Sequence, residues 1–210
     1  MILIFDLDNT IYSPESGLFK AVDNRINLYL KKYLKIPENK VNELRKNYWL
    51  KYGTTLNGLM RFHNINPVHY LEFVHDVEIN EFLKEDEELK KIFSQIDCKK
   101  FIFTNGYKPF ALNVLNSLGI INYFDEVFDI LWMNYIPKPK IYGYLKLLKT
   151  LKVSGKKCII FDDFPLNLLP AKWIEMTTIL VNKRKINYSF IDRRICKIKE
   201  LKNLHFIVDI

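Results

Sequence analysis

Asp6 and Asp8 stand two residues apart, directly after the apolar run Met1-Ile2-Leu3-Ile4-Phe5. Asp162 and Asp163 come after a second such run, Cys158-Ile159-Ile160-Phe161. A third run, Phe101-Ile102-Phe103, ends in Thr104-Asn105-Gly106, and Lys138 lies between Pro137 and Pro139. Four carboxylates brought together repel one another and resist ionising unless a cation sits among them. Hard oxygen ligands with open positions suit Mg²⁺, which keeps waters and bridges to phosphate. Thr104 offers a hydroxyl, Asn105 and Gly106 offer donors close to a phosphate, and Lys138 supplies a fixed positive charge. Metal and lysine together would neutralise a transferring phosphoryl group. Each position taken alone reads as ordinary, since an Asp after a strand is commonly a turn former and a lone Lys is solvated. The joint order and the strand context are what point to chemistry.

These residues need elements that aim them at one place. Short continuous apolar runs, without alternation, are the pattern of strands buried on both faces. Helical spacing lies between them, over 109–118 with Leu112, Leu115 and Leu118 on one face, and over 141–151. Strands alternating with helices predict an α/β fold with a doubly wound, Rossmann-like parallel sheet. A further strand is expected over 178–181, and an edge strand over 205–208. In such a sheet, ligands bind beyond the carboxyl ends of the strands, where Asp6, Thr104 and Asp162-Asp163 all fall. Regular strand geometry would turn Asp6 and Asp8 to the same side.

The stretch 16–83 has no buried-strand pattern. Ser16 is expected to cap a helix running to about Ile36, and Pro37 to start another carrying Val41, Leu44, Tyr48 and Trp49. Shorter helices are expected over 56–63 and 67–77. The chain therefore divides into a catalytic core, 1–15 and 84–210, and a helical insertion, 16–83.

With 49% hydrophobic and 27% charged residues among 210, the chain reads as an ordinary folded domain. No apolar run approaches the roughly 20 residues that span a membrane, and Met1–Phe5 is too short for a secretory signal, so a cytoplasmic protein is expected. Cys98, Cys158 and Cys196 form no CxxC pair, which argues against a disulfide framework or zinc site. The net charge of +8 favours anionic partners. No nucleic-acid-binding motif accompanies it, and runs such as Lys183-Arg184-Lys185 and Arg193-Arg194 read as solvated surface.

Asp6-Leu7-Asp8-Asn9-Thr10, Thr104-Asn105-Gly106, Lys138-Pro139 and Asp162-Asp163 resemble the four signature motifs of the haloacid-dehalogenase-like hydrolases. Within that superfamily the chain is most similar to the pyrimidine 5′-nucleotidase branch. The segments that carry this are Tyr52-Gly53-Thr54-Thr55-Leu56-Asn57-Gly58-Leu59, Phe73-Val74-His75-Asp76 and Asn167-Leu168-Leu169-Pro170-Ala171-Lys172. The resemblance implies that Asp6 attacks phosphorus, while Asp8 protonates the leaving oxygen and later activates water. It implies Mg²⁺ held by Asp6, the Asp8 carbonyl and Asp163, with Asp162 ordering metal-bound water, and phosphoryl oxygens held by Thr104 and Lys138. The insertion would be the family's cap. Dehalogenases of the superfamily lack the second Asp, so Asp8 favours phosphoryl chemistry over halide release.

The residues and the resemblance together imply a phosphatase of a small phosphorylated metabolite, preferably a pyrimidine nucleoside 5′-monophosphate, working as a monomer or homodimer. A sugar phosphatase is the alternative within that chemistry, and a non-catalytic anion-binding module the alternative outside it. In the insertion, Tyr52 and His63 are candidate substrate contacts. Tyr48, Trp49, Tyr52 and Phe62 are able either to stack on a nucleobase or to pack within the cap. His63, His69 and His75 are not spaced to share one helical face for a metal. One departure from the branch is Glu175-Met176-Thr177-Thr178, where Gly is usual in place of Glu175.

Overall fold

The computed structural model describes residues 1–184 and 188–203. β1 (Ile2–Phe5) is buried along its whole length. Helices α1 (Leu18–Leu34), α2 (Glu38–Tyr52), α3 (Thr55–His63) and α4 (Pro67–His75) come next, and the chain returns through α5 (Glu87–Ser94) to β2 (Lys99–Phe103). The remaining elements are α6 (Lys108–Ser117), β3 (Glu126–Phe128), α7 (Ile141–Leu151), β4 (Cys158–Asp162), α8 (Pro165–Trp173), β5 (Thr177–Val181) and β6 (Arg193–Ile195). The six strands form one sheet in the order β3-β2-β1-β4-β5-β6. Every neighbouring pair is parallel, as the alternating pattern predicts. No helix among the described residues is long and apolar enough to cross a membrane.

Alternation along the strands divides the apolar residues between two layers. Leu3 and Phe5 pack with Ile102, Phe161 and Val114 on one face. Ile2 and Ile4 pack with Phe103, Ile160, Tyr144 and Leu168 on the other. Because both faces are covered, the strands need apolar residues at every position. The second layer continues into α1, α2 and α3 through Tyr29, Leu30, Tyr48 and Leu59. At Gly58 the helices α2 and α3 press together: a Cβ there would fall 2.1 Å from Cγ of Tyr48.

Several local expectations are corrected. α1 is capped by Gly17, not Ser16, because Pro14–Ser16 forms a separate 3-10 turn. Gly17, at φ 82°, reverses the chain in a conformation that glycine adopts at little cost. α1 stops at Leu34 with Lys35 left-handed, and α4 stops at His75. Arg193 and Arg194 belong to β6 and pair beside β5, with the Arg194 guanidinium donating to the carbonyls of Asn182 and Lys183. The edge strand expected over 205–208 lies outside the described residues. Glu175 does adopt a left-handed conformation, φ 64°, where its N–H donates to the Lys172 carbonyl at the end of α8. A residue with a Cβ costs about 1 kcal/mol there relative to glycine.

Candidate active site

The register of the three central strands places the chemistry. Phe5 lies beside Ile102 on one side and Phe161 on the other, so the next residues of β1 and β4 and the end of β2 share one rim. The Asp6 N–H donates to the Phe161 carbonyl at 2.8 Å, and that of Thr104 to Phe128 at 3.0 Å. Backbone bonds of the sheet thus fix both residues before any side chain interacts.

Lys138 reaches the same rim across 132 residues of sequence. Its Nζ donates to Asp6 Oδ1 at 2.8 Å and to Asp162 Oδ2 at 2.7 Å, with all three side chains buried. Asp6 Oδ2 accepts from the Thr10 hydroxyl at 3.2 Å. Asp162 also accepts from the Asn167 amide and the Phe164 N–H. Its oxygens are therefore engaged in holding Lys138 and the start of α8. The Asp8 carboxylate lines the same cleft, and one of its oxygens accepts from the Tyr12 hydroxyl.

One carboxylate oxygen each of Asp6, Asp162 and Asp163 lie within 4.8 Å of one another. A single lysine cannot balance that set. Burial, with further repulsion from Asp162, Asp163 and Asp8, raises the Asp6 carboxyl well above its usual range in spite of Lys138. Burial and Asp162 push Asp163 up to about 7, and burial also raises Asp8. Burial works to lower Lys138, but Asp162 and Asp6 outweigh it and hold the ammonium protonated. A hard divalent cation beside Asp6 and Asp163 would relieve this excess of negative charge, and an all-oxygen donor set suits one.

The Thr104-Asn105-Gly106 turn is put together differently from its sequence reading. Asn105 exchanges two hydrogen bonds with the Lys138 backbone, at 2.8 and 3.1 Å, so its side chain positions the lysine rather than a ligand. The Gly106 N–H donates to Thr104 Oγ1 at 2.9 Å. Thr104 keeps its own hydroxyl proton for a further acceptor. The surrounding cleft, about 570 Å³, includes Phe19, Trp49, Lys51, Lys140 and Leu166 beside the acidic residues. A larger cavity of about 850 Å³ lies across the Asn9–Ser16 segment and contains neither Thr104 nor Lys138.

Tyr52 and His63 do not line the cleft. Tyr52 packs against Tyr48 and Phe62, and His63 Nε2 lies 2.8 Å from the Tyr48 hydroxyl, because α2 and α3 turn these rings toward each other. Trp49, next to Tyr48 on α2, lines the cleft together with Phe19 and Phe164. The three insertion histidines have separate partners, and the Asp6–Asp162–Asp163 group is the one metal-competent cluster among the described residues. His75 donates from Nδ1 to the Leu71 carbonyl and packs on Phe110; burial lowers it to about 4, which keeps it neutral. Sequence reasoning also missed Thr10, Tyr12 and Asn167 as partners of the acidic groups. The spacing of Thr10 and Tyr12, four residues after Asp6 and Asp8, was the available signal.

The sequence model of the haloacid dehalogenase-like hydrolases matches residues 1–174. A yeast protein, phosphate metabolism protein 8 of Saccharomyces cerevisiae, is 27% identical over 178 residues, covering 77% of this chain and 56% of its own. The chain thus spans about half the length of that curated relative. Among solved structures, a haloacid dehalogenase-type phosphatase from Thermococcus onnurineus superposes with a TM-score of 0.67 at 20% identity, over 97% of this chain and 96% of its own. The putative hydrolase YfnB of Bacillus subtilis, bound to magnesium, gives 0.65 at 16% identity over 100% and 98%. A putative β-phosphoglucomutase from Thermotoga maritima gives 0.63 at 19% identity over 99% of each chain. At these identities the structures speak to the shared fold. The family model, spanning more than half of the sequence, makes this chain a member of the haloacid dehalogenase-like hydrolases.

Proposed function

We propose that this chain is a Mg²⁺-dependent phosphomonoester hydrolase that works through an aspartyl-phosphate on Asp6, with nucleoside 5′-monophosphates, preferably pyrimidine, as substrates. The observation that carries this reading is the placement of Lys138 between Asp6 and Asp162, with Asp163 and the Thr104 hydroxyl at the same rim. An oxygen of Asp6 attacks phosphorus as the ester P–O bond breaks. The electron pair leaves with the substrate oxygen, which takes a proton from Asp8. Asp8 then removes a proton from water, whose oxygen attacks the same phosphorus. The Asp6–phosphorus bond breaks, and the Asp6 carboxylate, an alcohol and phosphate result. Lys138 and Thr104 hold the phosphoryl oxygens throughout. Mg²⁺, held by Asp6, the Asp8 carbonyl and Asp163, would offset the charge that builds up on those oxygens.

The helices of 16–83 act in this reading as a cap over the leaving group, excluding bulk water. Trp49 and Phe19 on the cleft wall favour a leaving group with a planar base. A panel of phosphate esters with Mg²⁺ tests the substrate: faster hydrolysis of UMP and CMP than of sugar phosphates is expected. Equal rates, or a preference for sugar phosphates, would assign the sugar-phosphatase alternative instead.

The metal has a test of its own in stability. Asp163 binds its proton more tightly in the folded chain, about 7 against an ordinary 3.8. Its contribution to stability is therefore present at low pH and is lost as pH rises through about 7. In chelator, the melting temperature is expected to fall between pH 5 and pH 8, and to fall less in Asp163→Asn. Added Mg²⁺ should restore it at pH 8. A chelated protein as stable at pH 8 as at pH 5 would count against the site.

A further inference from the structure

We infer that Tyr12 is a positioning residue for proton transfer, its hydroxyl holding one oxygen of Asp8 so that the other faces the reacting ester. The inference rests on the phosphatase reading given above, and deepens it. Tyr12 is only 4% exposed, and its ring belongs to the apolar layer that includes Ile11, Leu18 and Leu83. A ring fixed in a packed core delivers its hydroxyl to one point. At that point the hydroxyl donates to Asp8 Oδ1.

Asp8 Oδ2 is left on the other side. It lies 3.5 Å from where a Gly106 Cβ would stand, and Thr104 Oγ1 lies 3.2 Å from the same point. His75 Nε2 lies 3.8 Å from it as well, so these three groups border one small space that holds no Cβ from residue 106. Asp8 lines the cleft and Tyr12 does not, so one carboxyl oxygen is left for the leaving group while its partner is anchored from the core side. Geometry counts heavily in such a step, because misplacement by about 1 Å can reduce a rate roughly 100-fold.

A buried phenol also needs a hydrogen-bond partner for purely structural reasons, so the test must separate the two roles. Tyr12→Phe keeps the ring and removes the hydroxyl. An alkyl phosphate needs its leaving oxygen protonated, whereas p-nitrophenyl phosphate expels a stable phenolate without that help. We expect kcat/KM of the variant to drop roughly 10- to 100-fold on the alkyl ester and to change by less than about twofold on p-nitrophenyl phosphate. The Mg²⁺ concentration for half activation should not move. In an Asp8→Asn background, Tyr12→Phe should have no further effect on kcat/KM for the alkyl ester. Equal losses on both esters, or an undiminished loss in the Asp8→Asn background, would overturn the positioning role. Failure of the wild-type chain to hydrolyse either ester would instead overturn the phosphatase reading itself, and this inference with it.

Discussion

Asp6→Asn is expected to abolish turnover, by roughly 10⁴-fold or more, while the protein stays folded. The amide cannot supply the carboxylate electron pair that forms the bond to phosphorus, yet it occupies the same volume. Asp6 is buried, and burial raises its carboxyl well above the usual range, so its charge is a burden on the native state rather than a support. Neutralising it should leave the melting temperature unchanged or raise it, although one hydrogen bond from Lys138 is weakened. The check is phosphate release measured beside thermal unfolding. Wild-type protein quenched during turnover should also carry one phosphoryl group on Asp6 by mass, and Asp6→Asn none. Residual hydrolysis near the wild-type rate would refute the covalent route through Asp6.

Replacing Lys138 by methionine should do the opposite to stability. Its Nζ stands between two buried carboxylates at 2.8 and 2.7 Å, and its removal leaves Asp6 and Asp162 facing each other. Removing one member of a buried ionic cluster typically costs about 3–5 kcal/mol, because the remaining charge is left without a partner. The activity loss should be on the order of 10³-fold, the scale for deleting a group that stabilises transition-state charge. Lys138→Met with Asp162→Asn should recover much of the stability and little of the activity. Denaturant melts and kinetics on the two variants would show this. If the double variant were as unstable as the single one, the cost would lie in packing and not in charge.

The ends of β1, β2 and β4 were legible because strands covered on both faces must be apolar throughout, and the change to Asp or Thr marks where the sheet opens. β3 and β6 were not legible. β3 has three residues and begins with Glu126, and β6 is Arg193-Arg194-Ile195, so neither carries the continuous apolar signal. The roles of Asn105 and Asn167 were hidden for another reason. Their partners, Lys138 and Asp162, are chosen by tertiary contact, and a side-chain amide is equally able to face a ligand or a neighbour. Tyr52 and His63 stand in a ring-rich segment that is compatible with base stacking or with internal packing. The crossing of α2 and α3 decides for packing.

That crossing reaches further than its own neighbourhood. A methyl group at residue 58 would overlap Tyr48, so growth there displaces α2, which also carries Trp49 and Lys51 to the cleft. A chain differing only at this position would present an altered cleft wall with Asp6, Asp8, Thr104 and Lys138 unchanged. Substrate choice can thus drift by descent through an atom that no substrate ever meets.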